Sequence, residues 1–292
     1  QKLIYNLLHR ANYEIHAVGR GANRIARKDG YTYHDIDLTD EIKVSEFILK
    51  TKPDVLINSA AMTNVDACEK EKETCWNTNV LAVRYIVDAL EELRKANHHT
   101  HLIHFSTDFV FDGLNGPYKE TDKPRPLSYY ADSKLASEHV VLNSRIKSAV
   151  VRTIIIYGVV DGNQRSNLVL WVKNALTNGQ DINVITDQYR SPTLAEDLAE
   201  GTIAIAEKGA TGIYHLSGPE TLSIWKLAEM IAEFWHLDKT LMKPISSADL
   251  KQPAKRPPVT GFVLDKAQYE LDYNPRGFLE GLKFVDEQLK NL

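Results

Sequence analysis

The chain has only two cysteines and three methionines in 292 residues, and it does not begin with methionine. Its longest apolar stretch, AVVRTIIIYGVV, is short and broken by Arg152, so no membrane-spanning helix is expected, and no signal-peptide pattern opens the chain. Nor is there a polybasic stripe. A net charge of -4 with both signs interspersed argues against nucleic acid or a membrane surface as partner. Cys68 and Cys75 lie in a charged stretch with no CxxC and no histidine partner, and read as reduced, incidental thiols of a cytoplasmic protein. The HHTH run at 98–101 precedes a strand and lacks a carboxylate or cysteine cluster, so it reads as a solvated loop and no metal ligand is assigned.

What is present is alternation. EIHAV (14–18), DVLIN (54–58), HLIHFS (101–106) and SAVVRTIII (148–156) are short, apolar and β-branched, while 42–51, 69–96 and 131–144 carry helical periodicity. Strand–helix alternation predicts an α/β fold of the Rossmann type, a doubly wound parallel sheet whose ligands lie at the carboxyl ends of the strands. The expected dinucleotide-binding domain covers 1–156. Residues 157–292 are expected to form mainly a smaller substrate lobe, with some segments returning to the first domain; helices are expected at 166–178 and 194–207, and SSADLKQPAKRPPVTG reads as a loop. The opening QKLIYNLL, with Leu3, Ile4, Leu7, Leu8 and Ala11 at helical spacing, begins inside a helix. In a fold of this kind that helix follows a strand and a glycine turn, so roughly 10–15 residues are expected ahead of Gln1.

Tyr130 and Lys134 in SYYADSKLASE lie four apart, hence on one face of a helix. An ammonium near a phenol favours phenolate and would make Tyr130 a usable general acid or base for carbonyl reduction. A lone YxxxK is weak, but FSTDFVFDG precedes it, a strand ending in Ser106 and Thr107 whose hydroxyls reach the sheet's carboxyl edge.

With these motifs the chain resembles the extended short-chain dehydrogenases/reductases, and within them the dTDP-4-dehydrorhamnose reductases. The resemblance runs through DIDLTD (35–40), NSAAMTNVDACE (58–69), NTNVLAV (77–83), FSTDFVFDG, YADSK, VRTIIIYG, DQYRSPTLAEDLA (187–199), GIYHLSGPETLS and RPPVTGFVLD (256–265). It implies Tyr130 as proton donor to the C4 oxygen of a nucleotide-linked sugar, Lys134 as holder of the nicotinamide ribose and tuner of Tyr130, and Thr107 as the hydroxyl that polarises the carbonyl. Asp108 would lie against the sugar. Asp37 and Leu38 would border adenine, Ala61, Met62 and Thr63 would pack on the dinucleotide, and Phe105 would lie under the nicotinamide. Asp37 has a second reading as a cap for the helix beginning near Thr39. A homodimer is compatible with the resemblance.

Arg20 ends EIHAVGR, where an acid would bind the free ribose hydroxyl of NAD; an arginine suits the phosphate of NADP, so NADP(H) is expected, with NAD(H) the alternative. Two positions depart from the family pattern. Ile155 stands where the family carries a Trp near the sugar, and Arg190 where many members carry Gly, so both are expected near the sugar nucleotide. The implied activity is reduction of a 4-keto sugar nucleotide; the alternatives are another sugar-nucleotide reductase or epimerase, and a non-catalytic regulatory subunit.

Overall fold

The computed structural model describes residues 1–10, 12–161 and 167–291; Ala11 and residue 166, both assigned to helices above, lie outside these. Four parallel strands form the main sheet in the order β10 (Gly212–His215), β5 (Lys147–Thr153), β4 (His101–Thr107) and β3 (Val55–Asn58). A second parallel pair, β1 (His16–Gly19) with β2 (Thr32–Asp35), stands apart from it. Among the described residues β1 pairs only with β2, and β3 only with β4. Helix α1 (Lys2–Leu8) packs on α8 (Ala195–Lys208), with Lys2 2.8 Å from Glu196.

Alternation along the strands sends side chains to two cores. Leu102 and Val150 pack with α2 (Glu41–Thr51) and α5 (Ala82–Lys95) through Val44, Ile48, Ile86 and Leu90. Their neighbours Ile103 and Val151 pack on the other face with Leu198 and Ile205 of α8 and Ala267 of α10 (Asp265–Leu271). The helical pattern at 69–96 is broken in the fold. It becomes α3 (Val65–Lys70), α4 (Lys72–Trp76) and a π-helical turn at Asn77–Leu81 that leads into α5.

A third core joins α7 (Leu168–Thr177), α9 (Ile224–Phe234) and α11 (Phe278–Lys290) to β7 (Ile182–Ile185) and β12 (Met242–Ile245). Short pairings tie this half to the sheet's carboxyl edge. β6 (Ile156–Tyr157) pairs with β9 (Thr193–Leu194), while β8 (Tyr189–Arg190) lies between β11 (Leu222–Ser223) and β13 (Val259–Thr260). The stretch read as a loop around 246–261 therefore ends in a strand, because Val259 and Thr260 find β8 as a partner.

Helix α6 (Tyr129–Leu142) begins at Ser128, whose hydroxyl accepts the Ala131 N–H. Its buried stripe is largely polar: Lys134, Ser137 and Glu138 face the sheet, and Ser133 faces Cys75 and Asn79. Glu138 takes both Arg152 Nε (2.9 Å) and one Arg152 terminal nitrogen (2.6 Å), and Ser106 donates to the same carboxylate. Arg152→Met would leave that carboxylate buried without its cation, and should destabilise the protein by about 3–5 kcal/mol in urea unfolding. Pairing it with Glu138→Leu should recover part of the loss.

Candidate active site

Strand β4 and helix α6 bring the chemistry-bearing residues to one place. β4 ends in Thr107 at the sheet's carboxyl edge and α6 starts across from it, so Thr107 comes to Tyr130 at one end of the sheet while Lys134 lies one turn deeper. Both Tyr130 and Lys134 are buried. Burial pushes the Tyr130 phenol above its ordinary value, and the Thr107 hydroxyl pulls it part of the way back. Lys134 is not among the main influences on the phenol. The depression expected from the YxxxK spacing is therefore not what this geometry produces.

Lys134 faces His104 instead, its Nζ 3.4 Å from the ring Nε2. Asn58 Oδ1 accepts the Ala60 N–H, which turns the amide nitrogen toward His104 Nδ1 at 3.2 Å. With Nδ1 an acceptor, the ring proton sits on Nε2 and goes to the Ser137 hydroxyl at 2.9 Å. His104 then offers Lys134 no lone pair. Burial, opposed by the Glu138 carboxylate, brings the ammonium down to about 8, and the same burial beside Lys134 keeps His104 neutral, well below its usual range. A buried ammonium whose protons meet no side-chain acceptor fits an oxygen-rich ligand such as a ribose. No apolar pattern marks His104, and its part became visible only through the β3–β4 register that sets it beside Asn58.

Asp108 is buried and fully engaged. Thr107 donates to its Oδ1 (3.0 Å), Thr260 donates to its Oδ2, and Arg190 Nε lies 3.8 Å from Oδ2. Burial raises its carboxyl above the usual range while Arg190 and the two hydroxyls oppose the shift. Arg190, expected near the sugar nucleotide, lies beside Asp108 but is itself 1% exposed, and its terminal nitrogens donate to Tyr189 O, Pro257 O, Pro258 O and the Gln188 amide oxygen. Ile155 is half-buried with φ at 24°, a backbone conformation that a β-branched side chain rarely takes.

On the cofactor side, Met62 is clasped by Asn79 of the π-helical turn, which accepts its N–H at 2.7 Å and donates to its carbonyl at 3.2 Å. Ala61 is half-buried and Thr63 exposed in the same turn, Phe105 is partly buried on β4, and Leu38 packs partly into the core with α2. Arg20 is largely exposed, 3.5 Å from Asp37. Asp37 closes a turn by accepting from Thr39, whereas the cap of α2 is Asp40, which accepts the Lys43 N–H. The sequence shows no acid close after Arg20, yet β2 supplies one: Asp35 accepts the Gly21 N–H at 2.6 Å. Cys68 and Cys75 are free, as expected, and lie fully buried beside Tyr130. The reading of the HHTH run as a solvated loop changes: Thr100 and His101 are buried.

A family model described as RmlD substrate binding domain matches residues 2–290. A dTDP-4-dehydrorhamnose reductase of Aggregatibacter actinomycetemcomitans is 34% identical over 266 residues, 87% of each chain. Methionine adenosyltransferase 2 subunit beta of Bos taurus is 30% identical over 254 residues, 85% of this chain and 72% of that one. The crystal structure of dTDP-4-dehydrorhamnose reductase from Bacillus anthracis in complex with NADP shares the fold, with a TM-score of 0.83 at 24% identity, over 94% of this chain and 100% of that one. The Rossmann-type sheet, the polar stripe of α6 and the whole-length match agree: this chain belongs to the RmlD substrate binding domain family.

Proposed function

We propose that the protein reduces the C4 keto group of a nucleotide-linked sugar with NADP(H), dTDP-4-dehydro-L-rhamnose being the leading substrate, and that NAD(H) is the alternative cofactor. The reading assigns 1–156 to the dinucleotide and 157–292 mainly to the sugar nucleotide, and places the enzyme in the cytoplasm. The observation that carries it is the meeting of Thr107 and Tyr130 at the sheet's carboxyl edge, with the buried Lys134 one turn deeper on the same helix. It is supported by the activity named for the Aggregatibacter relative and by the NADP of the Bacillus anthracis structure.

When bound, the reduced nicotinamide supplies a hydride to the carbonyl carbon. Tyr130 gives its phenolic proton to the carbonyl oxygen as negative charge develops there, and a phenol held protonated by burial suits that direction of transfer. Lys134 holds ribose oxygens. Thr107 orients the reacting oxygen, and Arg20 reaches the adenosine phosphate. A second reading, a binding subunit, is favoured by the adenosyltransferase subunit among the relatives. A binding module has no need of a proton donor, so the Tyr130 hydroxyl separates the two.

Oxidation of NADPH against a panel of 4-keto sugar nucleotides tests the reading directly, and no turnover with any of them would sink it. Tyr130→Phe should lower turnover by about 10²–10⁴ while NADPH affinity persists in a direct titration. Arg20→Ala should weaken NADPH by about 1.5–3 kcal/mol and NADH far less, read by calorimetry with both cofactors. Lys134 is charged below its midpoint near 8 and neutral above it, so NADPH affinity should fall as pH rises from 7 to 9. Lys134→Met should bind NADPH weakly at both pH values, with that step gone.

A further inference from the structure

Asp108 is the one carboxylate of the catalytic edge that the reaction outlined above leaves without a task, yet it is gripped from two halves of the molecule. Arg190 and Thr260 are direct partners across the β8–β13 pair, and both reach Asp108 Oδ2. Thr107, on the catalytic strand, holds Oδ1. We propose that Arg190 and Thr260 form a latch on Asp108 through which the C-terminal half sets the direction of the Thr107 hydroxyl.

A threonine hydroxyl has one proton and two lone pairs. With the Tyr130 phenol protonated, Thr107 Oγ1 accepts the Phe109 N–H (3.3 Å) and gives its proton to Asp108; the phenol oxygen could take that proton only after losing its own. As long as Asp108 is ionised, that proton points at the carboxylate and away from any bound carbonyl. Once Asp108 is protonated it donates to Thr107 Oγ1 instead, and the Thr107 proton is released toward the cleft. The latch decides between these states. Arg190 and the Thr260 hydroxyl favour the ionised form, whereas burial favours the neutral one. The other ionisable groups are Tyr130, facing Asp108 from α6, and Arg256, which acts on Arg190 from the loop before β13. Arg190 touches no substrate in this arrangement; its donors other than Nε are spent on backbone oxygens and Gln188, so it is a positioning residue. A lysine cannot make that fork of bonds, but it keeps the charge.

The proposal rests on the reductase reading for its consequence, not for its test. In protein labelled with ¹³C at the aspartate carboxyls, with Asp108→Asn used to assign the signal, the Asp108 titration midpoint is read without turnover. Arg190→Met should move it up by about 1–3 pH units, Thr260→Val should move it up by less, and Arg190→Lys should restore part of the Met shift. In turnover assays the pH profile should shift with the midpoint. An unmoved midpoint in folded Arg190→Met protein overturns the latch; should that variant fail to fold, an unmoved midpoint in Thr260→Val does so. If the parent protein turns over no 4-keto sugar nucleotide, the reductase reading fails, and the titration still decides the latch.

Discussion

The buried pair of Glu138 and Arg152 fixes the register between α6 and the sheet, and the site depends on that register. Each ion loses several kcal/mol of hydration on burial, so the pair persists only because its geometry is nearly saturated. Glu138 accepts two bonds from Arg152 and a third from Ser106. The remaining terminal nitrogen of Arg152 has no hydrogen-bond partner, and the guanidinium lies over the Phe111 ring at 5.1 Å, where the π face gives partial compensation. Lys134 and Tyr130 are one and two turns before Glu138 on the same face of α6. A slip of the helix along β5 would separate the two charges and carry the phenol and the ammonium out of line together.

The pair ends a polar seam that runs across three strands. The even-numbered positions of β4, His104 and Ser106, face α6; Asn58 sits beside His104 in register and Arg152 beside Ser106. Opposite them α6 presents Lys134, Ser137 and Glu138. Every contact in the seam satisfies a donor or acceptor that would otherwise be stranded, and this gives a unique alignment where an apolar interface would tolerate sliding. Asn79 extends the same logic to the cofactor side, joining the Met62 turn to Ser133 of α6 through one amide.

Much of this was legible in the sequence, and the exceptions share a cause. The parallel strands and the outer helices follow from apolar periodicity, because their burial is apolar. Tyr130, Lys134 and Thr107 were legible from motif and spacing. His104, Asn79 and Glu138 were not, because they are polar residues buried by tertiary partners, and a pattern read for apolar faces assigns such residues to the surface. The same blindness explains the HHTH run, where His101 is buried at the start of β4. Arg190 was noticed as unusual, but its partners were not legible: the bonds that hold it include those to Pro257 and Pro258, nearly seventy residues away, which no local pattern reveals.

The seam and the reacting groups are separable, which gives a physical reason for relatives with different names to share one architecture. Asn58, His104, Ser137, Glu138 and Arg152 hold the sheet and helix together through one another, and none of their bonds passes through the Tyr130 hydroxyl. Removing that hydroxyl breaks none of the seam's hydrogen bonds, so a binding protein and an enzyme can rest on the same scaffold at similar stability. Asp108 is different, since its partners come from both halves and its protonation bears on Thr107. In this chain the scaffold and the reacting groups therefore meet at the last residue of β4 and the one that follows it.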